Sequence, residues 1–195
     1  MCTMRLYVCL LCLILPFATR AQTNDHQQDL LGRGHINVGV RIGQGYRGTY
    51  PTTTYVSPQL HYFITDGWSV ALEARYLVSN VYPQTVDKPD YRLKGGGLST
   101  RYYLLRGKRL AMFAHAGASY GQSTLRMKSD APAGTGYTWQ TEVGLGAHYR
   151  VGKRWSVEAM VGRSWSRNSN GGYYLTPPDD FNRWQASVGI NYRLK

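Results

Sequence analysis

From Arg183 to Leu194 the chain alternates without a break. Trp184, Ala186, Val188, Ile190, Tyr192 and Leu194 fall on one side; Arg183, Gln185, Ser187, Gly189, Asn191 and Arg193 fall on the other. A period of two over this length is the signature of a β-strand, because successive side chains of an extended chain point to opposite faces. A strand with one apolar and one polar face lies between two different media.

Seven earlier stretches repeat the pattern, over about 35–47, 55–65, 68–78, 92–105, 110–126, 137–150 and 154–166. In the first, Ile36, Val38, Val40 and Ile42 oppose Asn37, Gly39, Arg41 and Gly43. In the third, Trp68, Val70, Leu72, Ala74 and Tyr76 oppose Ser69, Ala71, Glu73 and Arg75. Asp66-Gly67 is a hairpin turn, and 106–109 and 151–153 are two more short connections. The connections after strands one, three, five and seven read as longer. Pro58 falls near the start of the second strand, where a missing N–H costs least. Gly43 to Gly48 matches a dinucleotide-binding fingerprint, but Thr49-Tyr50-Pro51 follows and cannot open the helix that fingerprint requires.

An even number of long alternating strands, joined by short turns at one end and longer loops at the other, predicts an all-β fold: an eight-stranded antiparallel up-and-down transmembrane β-barrel. Closure follows from the solvent, since an open sheet edge in hydrocarbon leaves backbone groups unpaired. The 22 Gly and 16 Tyr suit such strands.

Three segments follow. Residues 1–21 read as a signal peptide, with Arg5 before the apolar run 6–17 and Thr19-Arg20-Ala21 as a cleavage site. Residues 22–34 read as a flexible polar leader, and 35–195 as the barrel. Cys2, Cys9 and Cys12 all lie in the signal, so the mature chain is expected to hold no disulfide, thiolate metal site or cysteine nucleophile. The net charge is +12 and stays strongly positive without Arg5 and Arg20. In an exported chain this points to anionic lipid head groups rather than to nucleic acid.

Glycine and charge crowd the polar face, which suits a narrow interior. Arg41, Glu73, Arg75, Arg101, Glu142 and Glu158 are expected to face inward as a salt-bridge network, with Glu73, Arg101, Glu158 and Arg41 at similar depth. Trp68, Tyr149 and Trp155 by the short turns, and Tyr120, Trp139 and Trp184 towards the long loops, read as two interfacial aromatic girdles. Arg163 breaks the apolar face, as a bulge or as a side chain reaching to head groups. Arg92, Lys94, Arg126 and Lys128 are expected on the outer loops, with Arg47, Lys88 and Arg167, either as solvated loop tips or as contacts to anionic lipid phosphates or an extracellular partner. His61, His115 and His148 fall inward. No outward Ser-His-acid set is visible and no histidine pair has metal-ligand spacing. No enzyme activity, cofactor or metal is therefore expected.

The pattern resembles the small eight-stranded outer-membrane barrels of bacteria, of the outer-membrane protein A transmembrane type, including barrel-domain families of Bacteroidetes. The resemblance covers about 35–195. It implies periplasmic short turns, extracellular long loops and an outer-membrane address. It also implies a monomer whose partners are outer-membrane lipid, lipopolysaccharide and the barrel assembly machinery. Such barrels end on an aromatic that this machinery reads; here Tyr192-Arg193-Leu194-Lys195 sets the aromatic three residues early. The role implied is structural or surface-interacting, around a plugged lumen. Two rivals stay open: a barrel enzyme acting on outer-leaflet lipid, and a soluble exported barrel with an apolar ligand cavity.

Overall fold

Alternation becomes eight strands: β1 (Ile36–Arg47), β2 (Tyr50–Thr65), β3 (Trp68–Asn80), β4 (Asp90–Arg106), β5 (Leu110–Arg126), β6 (Gly134–Arg150), β7 (Trp155–Asn168) and β8 (Asn182–Arg193). The computed structural model describes residues 30–47, 50–80, 90–126, 134–168 and 182–194; the expected signal and most of the expected leader lie outside them. Each strand pairs antiparallel with the next, and β8 returns to β1 to close the barrel. Val40 faces Ile190 and Ile42 faces Val188 across that seam. No sheet edge is left, which a hydrocarbon solvent demands.

The barrel is turned apolar side out. Leu72, Leu98, Leu145, Val161 and Val188 are all at least 57% exposed, while Arg41 and Arg101 are 1% exposed. A soluble barrel around an apolar cavity needs the reverse arrangement, so that rival is set aside.

Several boundaries differ from the sequence reading. β2 begins at Tyr50, so only positions 48 and 49 separate it from β1; the connection there is not long. Pro58 consequently sits in mid-strand. It pairs with Val40 of β1, while pairing with β3 lapses at Ser57 and Pro58 and resumes at Gln59 in the same register. A residue without an N–H weakens one ladder and leaves the other standing. A bulge between Tyr103 and Leu105 makes Leu105, not Leu104, the outward residue beside Met112. Arg163 marks no bulge: Val143 faces it in unbroken register, and its guanidinium lies 5.8 Å from the Trp184 ring centre.

Where the leader meets the barrel, it is folded rather than loose. Leu30 and Leu31 are each 1% exposed. The Gly67 N–H donates to the Leu31 carbonyl at 2.9 Å, the Gly34 N–H to Phe63, and Asn37 Nδ2 to Leu30. The segment is stitched to the β2–β3 turn, and Gly34 takes a φ of 80° to make the bend.

Candidate functional site

The lumen is layered. At the short-turn end Leu30, Leu31, Phe63, Tyr103, Ala111, Phe113 and Met160 form one buried apolar cluster. Towards the other end Tyr55, Leu77, Tyr91 and Leu93 form a second. The charged side chains lie between the two. Inward positions therefore carry three layers, although alternation alone marks them all as one polar face.

Aromatics fill the inside because glycines make room for them. Gly43 faces Tyr55 across β1–β2, and a Cβ there would strike the Tyr55 ring. Gly146 faces Phe113 across β5–β6 in the same relation. A ring lying over a missing side chain packs a narrow interior without a void.

All six predicted charges meet in one connected cluster. Arg41 reaches Glu142 at 2.8 Å and Glu73 at 3.2 Å; Arg75 reaches the same two carboxylates at 2.8 and 3.0 Å. Arg101 grips Glu158 with two nitrogens, at 2.6 and 2.8 Å, the bidentate geometry that makes guanidinium–carboxylate pairs strong. Gln59 joins the halves. Its Nε2 donates to Glu73 at 3.1 Å, and its Oε1 accepts from Arg101 at 2.9 Å. The three arginines balance the three glutamates, so the buried charge is paired within the cluster.

Sequence reasoning left several members without a role. Gln185 and His115 complete the shell of Glu142, at 2.8 and 2.7 Å; Asn191 donates to Glu158 at 2.8 Å. Ser57 donates to Glu73, and His61 is in hydrogen-bond contact with Gln59. All are inward positions of the alternation. An amide opposite a carboxylate was the available signal, but only the stagger of the closed barrel says which residues share a height. The expected depth grouping is correspondingly incomplete: Glu142 and Arg75 share the height of Arg41 and Glu73, while Arg101 and Glu158 sit one step nearer the short turns.

The cluster rests on the apolar floor. The Arg101 guanidinium lies 4.9 Å from the centre of the Phe113 ring, and Arg41 Nη1 contacts Met160 Sδ at 3.5 Å. His148 is 1% exposed and meets the edge of Tyr103 at 5.7 Å. No group of three or more His, Cys, Asp or Glu that could hold a metal occurs among the described residues.

On the outside, Trp68, Tyr120, Trp139, Tyr149, Trp155 and Trp184 are 42–59% exposed. Trp155 packs on Tyr192 at 4.7 Å near the short turns; Tyr120 packs on Trp139 at 4.9 Å and on Tyr137 at 5.6 Å near the other end. The cations assigned to loops need correcting. Arg92 and Lys94 lie within β4 and are exposed on its outward face, because that strand starts at Asp90. Lys94 Nζ stands 5.9 Å from the Tyr76 ring centre. Arg47, Arg126 and Arg167 also fall within strands, while Lys88 and Lys128 lie outside the described residues.

The arrangement has solved counterparts. The N-terminal beta-barrel domain of OprF from Pseudomonas aeruginosa is 16% identical, with a TM-score of 0.56 over 83% of this chain and 98% of that one. A major outer membrane protein from Thermus thermophilus gives 11%, 0.55, 82% and 98%. Neisserial surface protein A gives 11%, 0.53, 81% and 95%. At these identities the likeness is one of fold. No curated protein is detectably similar in sequence. Residues 9–193 match the family described as outer membrane protein beta-barrel domain, nearly the whole chain. With its closed eight-stranded, apolar-out architecture, this chain belongs to that family.

Proposed function

We propose that the protein is an exported structural and surface-interacting barrel of the bacterial outer membrane, monomeric, with a lumen closed to ions. The observation that carries this reading is the stack of a neutral, fully paired charge cluster on an apolar floor. A conducting path would have to cross both. Planar-bilayer recording tests it: the folded full-length protein should give no sustained current. A steady open level in the unaltered protein would overturn the plug.

Its surface role rests on the upper outward face. Lys94 stands across from Tyr76 and Arg92 one outward step beyond it, across from Val78, where lipopolysaccharide phosphates would lie; Arg126 ends β5 at the same end, and Lys128 follows it in sequence. Reversing Arg92 and Lys94 to Glu should weaken lipopolysaccharide binding and make cells leakier to large hydrophobic antibiotics; unchanged binding and permeability would remove this part of the proposal. Secretion through residues 1–21, and delivery by the barrel assembly machinery reading the Tyr192 end of β8, belong to the same reading. A lipid-modifying enzyme would need nucleophile and base at the outer leaflet. His61, His115 and His148 are instead buried in the lumen, and loss of a lipid-modifying activity on replacing one of them would be needed to revive that alternative.

A further inference from the structure

The short-turn end of the barrel is strongly cationic. Arg106, Lys108, Arg109, Arg150, Lys153 and Arg154 crowd the β4–β5 and β6–β7 turns. Among the described residues at this end the only carboxylate is Asp66, in the β2–β3 turn. A backbone bond holds the cationic turns side by side: the Arg150 N–H donates to the Arg109 carbonyl at 2.8 Å. Lys108, Arg109, Arg150 and Lys153 thereby line one shallow hollow of about 400 Å³, with Val151 and Gly152. Like charges held together repel, and an anion seated among them relieves that repulsion.

The surroundings identify which anion. Val151 stands in its turn, 63% exposed, between the cations; Leu110, which opens β5, and Leu194, which follows β8, are 52% and 53% exposed at the same end. Trp155 and Tyr149 begin the outward aromatic face one step above. The turns are too tight to project the charges far from that ring level. Apolar tips, cations and aromatic rings at one depth describe a membrane interface, where long basic side chains reach phosphates while their stems stay apolar. A soluble acidic partner gives no reason for an exposed valine among the lysines.

We propose that these two turns dock the phosphate head group of an anionic glycerophospholipid in the leaflet at the short-turn end, the periplasmic one in barrels of this class. The expected lipid contacts, Arg92 and Lys94, lie at the opposite end, so this is a second lipid surface. It rests on the membrane reading, which heat-modifiable gel mobility of the folded protein tests separately.

Native mass spectrometry of the folded full-length protein decides the matter, titrated with phosphatidylglycerol and with phosphatidylcholine of matched chains. The unaltered protein should prefer phosphatidylglycerol. The K108Q/K153Q variant should lose affinity for it by roughly fivefold per cation removed, and R92Q/K94Q at the other end should leave this tight site intact. No preference in the unaltered protein, an equal loss in R92Q/K94Q, or full displacement by millimolar inorganic phosphate would overturn it. Should the double variant fail to show the heat-modifiable band, Lys153→Gln alone, exposed on its turn, carries the same test.

Discussion

Glu142 accepts from Arg41, Arg75 and Gln185 and contacts His115, all without access to water. Removing its charge leaves two guanidiniums facing one remaining carboxylate in a low-dielectric interior. Glu142→Gln should therefore destabilise the folded barrel by about 3–5 kcal/mol, the range for breaking a buried ion pair, read as a lower urea midpoint in lipid vesicles. Gln59→Leu removes a neutral bridge; Glu73 and Arg101 keep other bonds while buried His61 loses its contact with Gln59, and the change should cost less, on the order of 1–3 kcal/mol. At this scale the sequence was half legible. Alternation put Arg41, Glu73, Arg75, Arg101, Glu142 and Glu158 on one face. It left their pairing open, because a period of two fixes the side of a residue and says nothing of its height around a closed ring.

The element that departs furthest from expectation is the segment before β1. A polar run without periodicity reads as loose chain, yet Leu30 and Leu31 complete the floor under the charged cluster. Two adjacent leucines carry no period, so their destination showed only when the inward rings of Phe63, Tyr103 and Phe113 were assembled around them. Leu31→Ala should cost about 2–5 kcal/mol, as for other buried leucines. Leu30→Asp with Leu31→Asp should open the floor and speed amide exchange of Gly67, which donates to the Leu31 carbonyl. Unchanged exchange at Gly67 would mean the segment is not a structural part of the floor. β2 offers the opposite lesson. Its extension to Tyr50 was hidden by Pro51, Pro58 and a run of threonines, each a turn signal locally; the two prolines are tolerated because the β1 ladder holds them where pairing with β3 is missing.

For the whole molecule, the solvent outside the barrel decides which substitutions matter. Val188 is 64% exposed at mid-strand, where water would accept an arginine and hydrocarbon would not. Val188→Arg should cost about 2–4 kcal/mol in lipid, while Gln122→Arg, beyond the Tyr120 ring, should cost about 0–1 kcal/mol; equal costs in a vesicle unfolding series would contradict insertion at this depth. Strand number and alternation were legible because each is a one-dimensional pattern; the outward face rested on the glycine and charge on the polar side and the aromatics at the strand ends, with a soluble rival left open. Closure brought in what is two-dimensional: shear, the β1–β8 seam and the layering of the interior.

The balance of the lumen cluster has an electrical consequence. A transmembrane voltage acts on a protein through the net charge that a rearrangement carries along the field, at about 2.3 kcal/mol per elementary charge per 100 mV. Three guanidiniums and three carboxylates shifting as one body carry none. The Donnan potential across an outer membrane can swing with the salt and acidity of the surroundings and find no lever in this cluster.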